Sequence, residues 1–337
     1  MKHHIVTSIV IMTIILSLPN LSQSIYAAPG TGNLYGLVSL TNELVVINPV
    51  TGAVTSGPIQ ILHDAGTPGL LIDDFILNLG TPSLAADSTG TLYLGTGSGT
   101  TDLYIVNPTT GEAAFQCSIP AGFGAVEGLA FDSNDNLFAS LNLLGGGTGG
   151  GTDLVQIDTS CNIINGPFPF GFGGMGGLAF DAFDNLYGST TTSNLAPGQL
   201  FTINTANGVP TPVAGPFDQS GGNPITLTGG VASLQFDCTG VLFGGTGKGG
   251  QIGQSDLVSI NLVSGAASVV GLGTNVPFTL GGLAFDQTCS VGVGGELLPI
   301  DTTSLLVAGA QTSASWMIAL AASIVGIGAL IVKKKFN

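Results

Sequence analysis

Ser83–Asp87 (S-L-A-A-D), Gly128–Asp132 (G-L-A-F-D), Gly177–Asp181 (G-L-A-F-D), Ser233–Asp237 (S-L-Q-F-D) and Gly282–Asp286 (G-L-A-F-D) repeat one phrase along the chain. A second phrase is interleaved with it: Glu43–Gly52 (E-L-V-V-I-N-P-V-T-G), Asp102–Gly111 (D-L-Y-I-V-N-P-T-T-G), Asp153–Asn162 (D-L-V-Q-I-D-T-S-C-N), Gln199–Gly208 (Q-L-F-T-I-N-T-A-N-G) and Asp256–Gly265 (D-L-V-S-I-N-L-V-S-G). A repeat period of roughly 50 residues marks a solenoid, a propeller or an array. The internal grammar of each unit selects the propeller. A short apolar strand ends in Asp, and a D-x-x-G/D turn follows. A second strand comes next, as in Thr91–Gly95, Asn136–Ser140, Asn185–Ser189 and Val241–Gly245. A loop rich in Gly, Ser and Thr leads to the second phrase, which is the third strand. Its N-P-x-T-G ending is a tight turn, in which Asn caps and Gly supplies positive φ. A fourth strand closes the unit, as in Ala113–Ser118 or Ala267–Gly271. Four short antiparallel strands per repeat make a propeller blade.

The two ends of the repeat region fix the topology. The chain enters the repeats on a second strand, Asn33–Val38, and leaves them on a first strand, Gly282–Asp286. Pairing one with the other completes a blade and removes two exposed sheet edges. Five first strands and five third strands then give five blades. Residues His63–Thr81 are too few for the four strands of a sixth. The expected fold is all-β: a five-bladed β-propeller over 28–290, closed by pairing N-terminal strands with the last strand, plus a C-terminal transmembrane helix.

The termini carry that last expectation. Lys2, the apolar run Ile5–Leu18 and the small residues Ala27 and Ala28 follow the order of a secretory signal peptide, read as 1–27 with cleavage after Ala27. At the other end Leu305–Val332 is largely apolar and is followed by Lys333, Lys334 and Lys335. The reading is a linker at 291–304, a transmembrane helix at 305–332 and a cytoplasmic basic tail at 333–337. It places the protein in the cell membrane, single-pass, with the propeller extracellular.

Charge excludes one class of partner. All 20 acidic residues lie between Glu43 and Asp301, against Lys248 alone, and the chain has no arginine. Nucleic acid binding needs lysines and arginines on phosphates, so no nucleic acid partner is expected. Cys117, Cys161, Cys238 and Cys289 all lie in the exported part, where an even count points to disulfides. Four cysteines allow three connectivities. Cys238 and Cys289 follow equivalent aspartates in blades that meet on ring closure, so they are read as one pair, which leaves Cys117 with Cys161. None has C-x-x-C spacing, which argues against zinc.

Units such as Gly177–Gly208 resemble exported NHL- and YVTN-like propeller repeats, and the tail resembles carboxy-terminal anchors of archaeal cell-surface proteins. The first resemblance covers nearly the whole exported part and implies a fold rather than an activity. In lactonase-like propellers a glutamate near the channel mouth binds a metal. Glu127 is the only acidic residue immediately before a first strand, so it is the one metal candidate, although partner Asn and Asp positions are not matched.

The recurring aspartates Asp87, Asp132, Asp181, Asp237 and Asp286 are read as turn caps. Glu43, Asp102, Asp153 and Asp256 open third strands, with Gln199 in the remaining blade, and are too dispersed for one metal site. His63 is read as lying in a loop. Tyr35, Tyr93, Tyr104 and Tyr187 lie within strands, and the mature chain before Trp316 has no tryptophan to stack on a sugar. No catalytic residue and no cofactor are assigned beyond weak, dispersed calcium binding. The expected function is a membrane-anchored cell-surface module that binds an unknown extracellular protein or envelope component. The alternatives are an extracellular carboxylate- or metal-dependent hydrolase or lyase using the central channel, and a structural component of an envelope lattice.

Overall fold

The computed structural model divides into two units, Met1–Ser290 and Val291–Asn337. It describes residues 32–286 apart from 65–74, 81, 98, 121, 144–150, 192–197, 214–216, 218–229, 247–254, 272–273, 275 and 277–278, so only the first unit is described. Blade 1 contributes β1 (Leu34–Val38), β2 (Glu43–Ile47) and β3 (Val54–Gln60). Two short strands follow, β4 (Leu62–His63) and β5 (Phe75–Ile76). Blade 2 is β6 (Ser83–Ala86), β7 (Leu92–Gly95), β8 (Asp102–Val106) and β9 (Glu112–Ser118). Blade 3 is β10 (Phe123–Phe131), β11 (Leu137–Leu143), β12 (Thr152–Ile157) and β13 (Ile163–Pro169). Blade 4 is β14 (Met175–Phe180), β15 (Leu186–Thr190), β16 (Leu200–Ile203) and β17 (Pro210–Pro212). Blade 5 is β18 (Val231–Phe236), β19 (Leu242–Thr246), β20 (Leu257–Ile260) and β21 (Ala267–Val269). The last strand, β22 (Leu280–Phe285), pairs antiparallel with β1, setting Leu34 opposite Phe285 and Leu37 opposite Gly282. The ring is therefore closed within blade 1, in the order β22-β1-β2-β3.

The repeated aspartates make the turns. Asp132 Oδ1 accepts the N–H groups of Asn134 and Asn136 at 2.9 and 2.8 Å, and Asp87, Asp181 and Asp237 do the same in their blades. The second strand beside Asp286 is β1, from the other end of the repeat region. Asp286 accepts instead from the backbone N and the Nδ2 of Asn33, fastening the closing pair. The second Asp of D-x-x-D has another task. Asp135 and Asp184 adopt left-handed φ of 59° and 60°. Each reaches back to the preceding blade, accepting from Ser88 and Ser133 respectively.

Five apolar clusters fill the five seams between blades. Both faces of the inner strands are thus covered, which is why their sequences run continuously apolar. One residue pair recurs at four of the five seams. Ser83 faces Gly95, Gly128 faces Ser140, Gly177 faces Ser189 and Ser233 faces Gly245 across the first two strands of a blade. Each of these four pairs holds one serine and one glycine. The serine hydroxyl donates to a first-strand carbonyl of the next blade: Ser83 to Val126, Ser140 to Met175, Ser189 to Val231 and Ser233 to Leu280, at 2.8–3.1 Å. Blade 1 has Leu37 and Gly282 instead, and a Cβ on Gly282 would meet Leu84 Cβ of blade 2 at 2.6 Å. Ser140→Ala leaves a carbonyl buried without its partner, a change that costs about 1–3 kcal/mol. Chemical denaturation should show that loss, and an unchanged midpoint would show that the hydroxyl does not bind the seam.

A disulfide joins Cys117 on β9 to Cys161 in the β12–β13 turn, with Cα atoms 5.8 Å apart. Cys161 has a φ of 61°, taking the positive-φ role that Gly111 and Gly208 serve in the corresponding turns of blades 2 and 4. Cys238 is also disulfide-bonded, and Cys289 lies outside the described residues. Replacing Cys117 and Cys161 together by Ala should lower stability by about 2–5 kcal/mol. Equal unfolding midpoints for the variant and the parent chain would contradict that.

Three expectations are corrected. Among the described residues no helix is long and apolar enough to cross a membrane. The physical reason is that their apolar runs are strands of at most nine residues packed into blades, whereas a spanning helix needs about 20. The C-terminal transmembrane helix, the archaeal-type anchor, the membrane as partner and the single-pass cell-membrane localisation are accordingly set aside. The membrane-anchored cell-surface function falls with them. Residues 305–332, which suggested the helix, lie outside the described residues. His63 lies in β4, not in a loop, and its ring stacks on Phe75 at 4.6 Å. Finally, blade 2 exceeds four strands. β4 pairs parallel with β9 and antiparallel with β5, giving a six-stranded sheet β5-β4-β9-β8-β7-β6.

Candidate active site

The innermost strand of four blades carries an irregularity in its pairing. Just before the first-strand phrase of β10, β14, β18 and β22 a residue is left out of the pairing register with the neighbouring strand: Glu127, Gly176, Ala232 and Gly281, with Gly124 left out as well in the longer β10. In blade 2 the same position, just before Ser83, is Pro82. A bulge removes a residue from the ladder and re-aims its side chain. Successive members of this ring approach each other closely. A Cβ on Gly176 would lie 3.1 Å from Ala232 O, and one on Gly281 would lie 3.0 Å from Pro82 O. At this level of the inner strands, then, four positions are small or apolar and one is a carboxylate.

Blade 3 is built to hold that carboxylate. Asn142 Nδ2 donates to Glu127 Oε1 at 2.7 Å, and Thr152 Oγ1 donates to Oε2 at 3.2 Å. Thr152 is fully buried, and its hydroxyl accepts the N–H of Gly174 from the linker to blade 4. The register explains the geometry. In blades 2, 4 and 5 the second strand ends near a threonine: Thr96, Thr190 or Thr246. That hydroxyl accepts the N–H of Asp102, Gln199 or Asp256 at 3.1, 2.9 and 2.8 Å. Blade 3 has Leu141 there. Its second strand continues in register, pairing Leu141 with Asp153 and Asn142 with Thr152. The extension carries Asn142 and Thr152 alongside the bulge.

Burial pushes the Glu127 carboxyl above the ordinary glutamate value of 4.5, and the bonds from Asn142 and Thr152 pull it back only in part. Both donors are neutral. They orient the group without supplying the cation that would hold it ionised. A carboxyl with a raised pKa, fixed by two hydrogen bonds, is the kind of group that can serve as a general acid or base.

The other sequence candidates are not brought to this point. Asp102 accepts the Ser118 hydroxyl. In blade 3 the residue opposite Asp153 is Pro169, which has no hydroxyl to give. Asp153 is 7% exposed, and its Oδ1 is buried without a hydrogen bond. Burial raises its carboxyl too. Thr152 and Asp153 are consecutive in a strand, so their side chains leave opposite faces of the blade, and only Thr152 reaches Glu127. Among the described residues no three or more His, Cys, Asp or Glu side chains group as metal ligands. Asn142 and Thr152 escaped the sequence reading. The signal was present in A-S-L-N-L-L (139–144), where blades 2, 4 and 5 read G-T or S-T.

The site thus belongs to a five-bladed β-propeller with one carboxylate in its inner ring. No family model matches the chain, and no curated protein matches it. Solved structures do resemble it. A protein of unknown function from Bacteroides caccae is 11% identical, with 77% of this chain and 99% of that chain covered at a TM-score of 0.44. A periplasmic gluconolactonase from Pseudomonas aeruginosa is 10% identical, with 75% and 98% covered at 0.41. An engineered GH43 glycoside hydrolase is 11% identical, with 72% and 51% covered at 0.43. These likenesses carry no argument about activity. The blade count and ring closure rest on the strand pairing itself.

Proposed function

We propose that the chain is an extracellular hydrolase or lyase of the carboxylate-dependent kind, working at the mouth of the propeller channel with Glu127 as its proton-transfer group. The observation that carries the reading is the departure of blade 3 from its repeat. One bulge position of the inner ring bears an acid, and the same blade alone supplies the two side chains that hold it. A structural cap would recur with the repeats, as the turn aspartates do. The leader read at 1–27 and the Cys117–Cys161 disulfide support an exported setting, since such bonds persist in oxidising compartments. The repeat phrases support kinship with NHL- and YVTN-like propellers at the level of fold.

The net charge of the repeat region favours neutral or cationic substrates over anionic ones. Neutral lactones and aryl glycosides are the substrates to try, because both need proton transfer to or from oxygen. The full chain should turn over at least one of them, with a pH profile limb set by a carboxyl titrating above its ordinary value. No turnover across both classes, or turnover equal in Glu127→Gln, would defeat the proposal.

A further inference from the structure

Blade 4 carries a second feature, on the side where the D-x-x-D turn lies and away from the bulge ring. A groove of about 660 Å³ runs along its outer strands, within the ~300–1,000 Å³ usual for small-ligand sites. Leu186 and Ile203 also border it, but their side chains are buried in the core shared with blade 3. Its polar wall is the cross-strand row Tyr187, Thr202 and Thr211, joined by the turn residues Asn204 and Asn207. The equivalent row in blade 2 is Tyr93, Ile105 and Ala114, which is apolar beyond the tyrosine.

The groove's hydrogen-bonding groups are only half used. Asn204 Oδ1 accepts from Ala206 N at 2.9 Å, and Asn207 Oδ1 accepts from Val209 N at 3.1 Å. The turn therefore fixes both carboxamides by their oxygens and leaves their NH₂ groups as donors. The Tyr187 hydroxyl makes no hydrogen bond among the described residues. Its blade 1 counterpart, Tyr35, donates to Asp286. The charged groups beside the groove are already engaged. Asp184 accepts from Ser133 through both oxygens, at 2.9 and 2.7 Å. Asp181 holds Asn185 and the N–H of Phe183. Among the described residues both carboxylates beside the groove accept hydrogen bonds, and the blade has no lysine or arginine to hold an anion.

We infer that this groove binds a neutral, polyhydroxylated ligand of the carbohydrate class. Carboxamide NH₂ groups, threonine hydroxyls and a tyrosine match sugar hydroxyls, which both donate and accept. The site is separate from Glu127, and it stands whether or not the chain is an enzyme.

Titration of the isotope-labelled full chain by NMR with maltotriose, xylotriose and cellotriose tests it. At least one should bind with Kd of about 1 mM or tighter, with shifts confined to 184–187 and 202–211, the Asn204 and Asn207 side-chain amides included. Asn204→Asp and Asn207→Asp keep the oxygen that caps the turn but lose the NH₂ donor, and each should weaken binding at least about tenfold, as loss of a hydrogen bond of ~1.4 kcal/mol does. Glucose 6-phosphate should not bind. Absence of shifts with all three sugars, shifts elsewhere, or undiminished binding by the two variants would overturn the inference. So would saturable shifts at Asp184 with calcium alone, which would make the groove a cation site.

Discussion

Deleting Leu34–Val38 should abolish the cooperative unfolding transition and drive the chain to aggregate. The strand holds Leu34, Leu37 and Val38, all essentially fully buried, in two different seams. Truncating a single such leucine to Ala costs about 2–5 kcal/mol, while a whole domain is stable by only about 5–15 kcal/mol. The deletion also bares both β22 and β2 as unpaired edges in the middle of blade 1. No other blade needs residues from both ends of the repeat region, so the same length cut from an outer strand should be milder. Removing β21 (Ala267–Val269), whose residues are only partly covered, is the comparison. Circular dichroism and calorimetry read both variants. A stable monomer without Leu34–Val38 would mean that β1 and β22 do not hold the ring shut.

Glu127→Gln should lower kcat by about 10²–10⁴, the usual worth of a positioned acid or base, or roughly 3–5 kcal/mol of barrier. KM should change far less, because the glutamine keeps the shape and one of the two acceptor oxygens while losing the titrating proton. Stability should move the other way. The Glu127 pKa is raised in the folded state, so the folded protein holds this proton more tightly than the unfolded chain does. Its contribution is therefore fully present below the ordinary value of 4.5 and is lost as pH rises from there through the folded value. Glutamine has no such loss. At pH 7 the variant should melt no lower than the parent chain, although it is inactive. Asp153→Asn, which alters a buried carboxylate on the other face of the blade, should leave kcat essentially unchanged. A Glu127→Gln protein that is both active and destabilised would recast Glu127 as a structural residue.

The fold was legible because it is written five times. The phrase ending in Asp sets the first turn in four blades and the closing bond in the fifth, through local hydrogen bonds that one sequence can reveal. Ring closure was legible for a related reason: Asn33–Val38 lacked a first strand, and Gly282–Asp286 lacked a second. What stayed hidden depends on neighbours rather than on local pattern. The serine–glycine exchange at Ser83/Gly95 and Gly128/Ser140 makes sense only once the next blade's carbonyl is in place. β4 and β5 joined blade 2 through a parallel pair with β9, a long-range contact that a two-residue strand cannot announce. Glu127 was singled out by its place before a first strand. Its partners Asn142 and Thr152 were not, because their meeting depends on how far β11 runs in register with β12. Leu141 in place of threonine was the one clue. The reading of 305–332 as a membrane helix rested on a long apolar run and the lysines after it, and that stretch lies outside the described residues.

On the proposed reading, blade 3 holds one proton-transfer carboxyl in the inner ring. The most direct measurement is the titration of Glu127 itself, by carbon NMR of selectively labelled full-length chain, with Glu127→Gln identifying the resonance. The account predicts a midpoint clearly above the ordinary 4.5, falling back toward it when the bulge is opened to water by Leu141→Thr, which restores the threonine found in blades 2, 4 and 5. A Glu127 that titrates at or below 4.5 in the parent chain would contradict the account, because the carboxyl would then be an ordinary, solvated surface group.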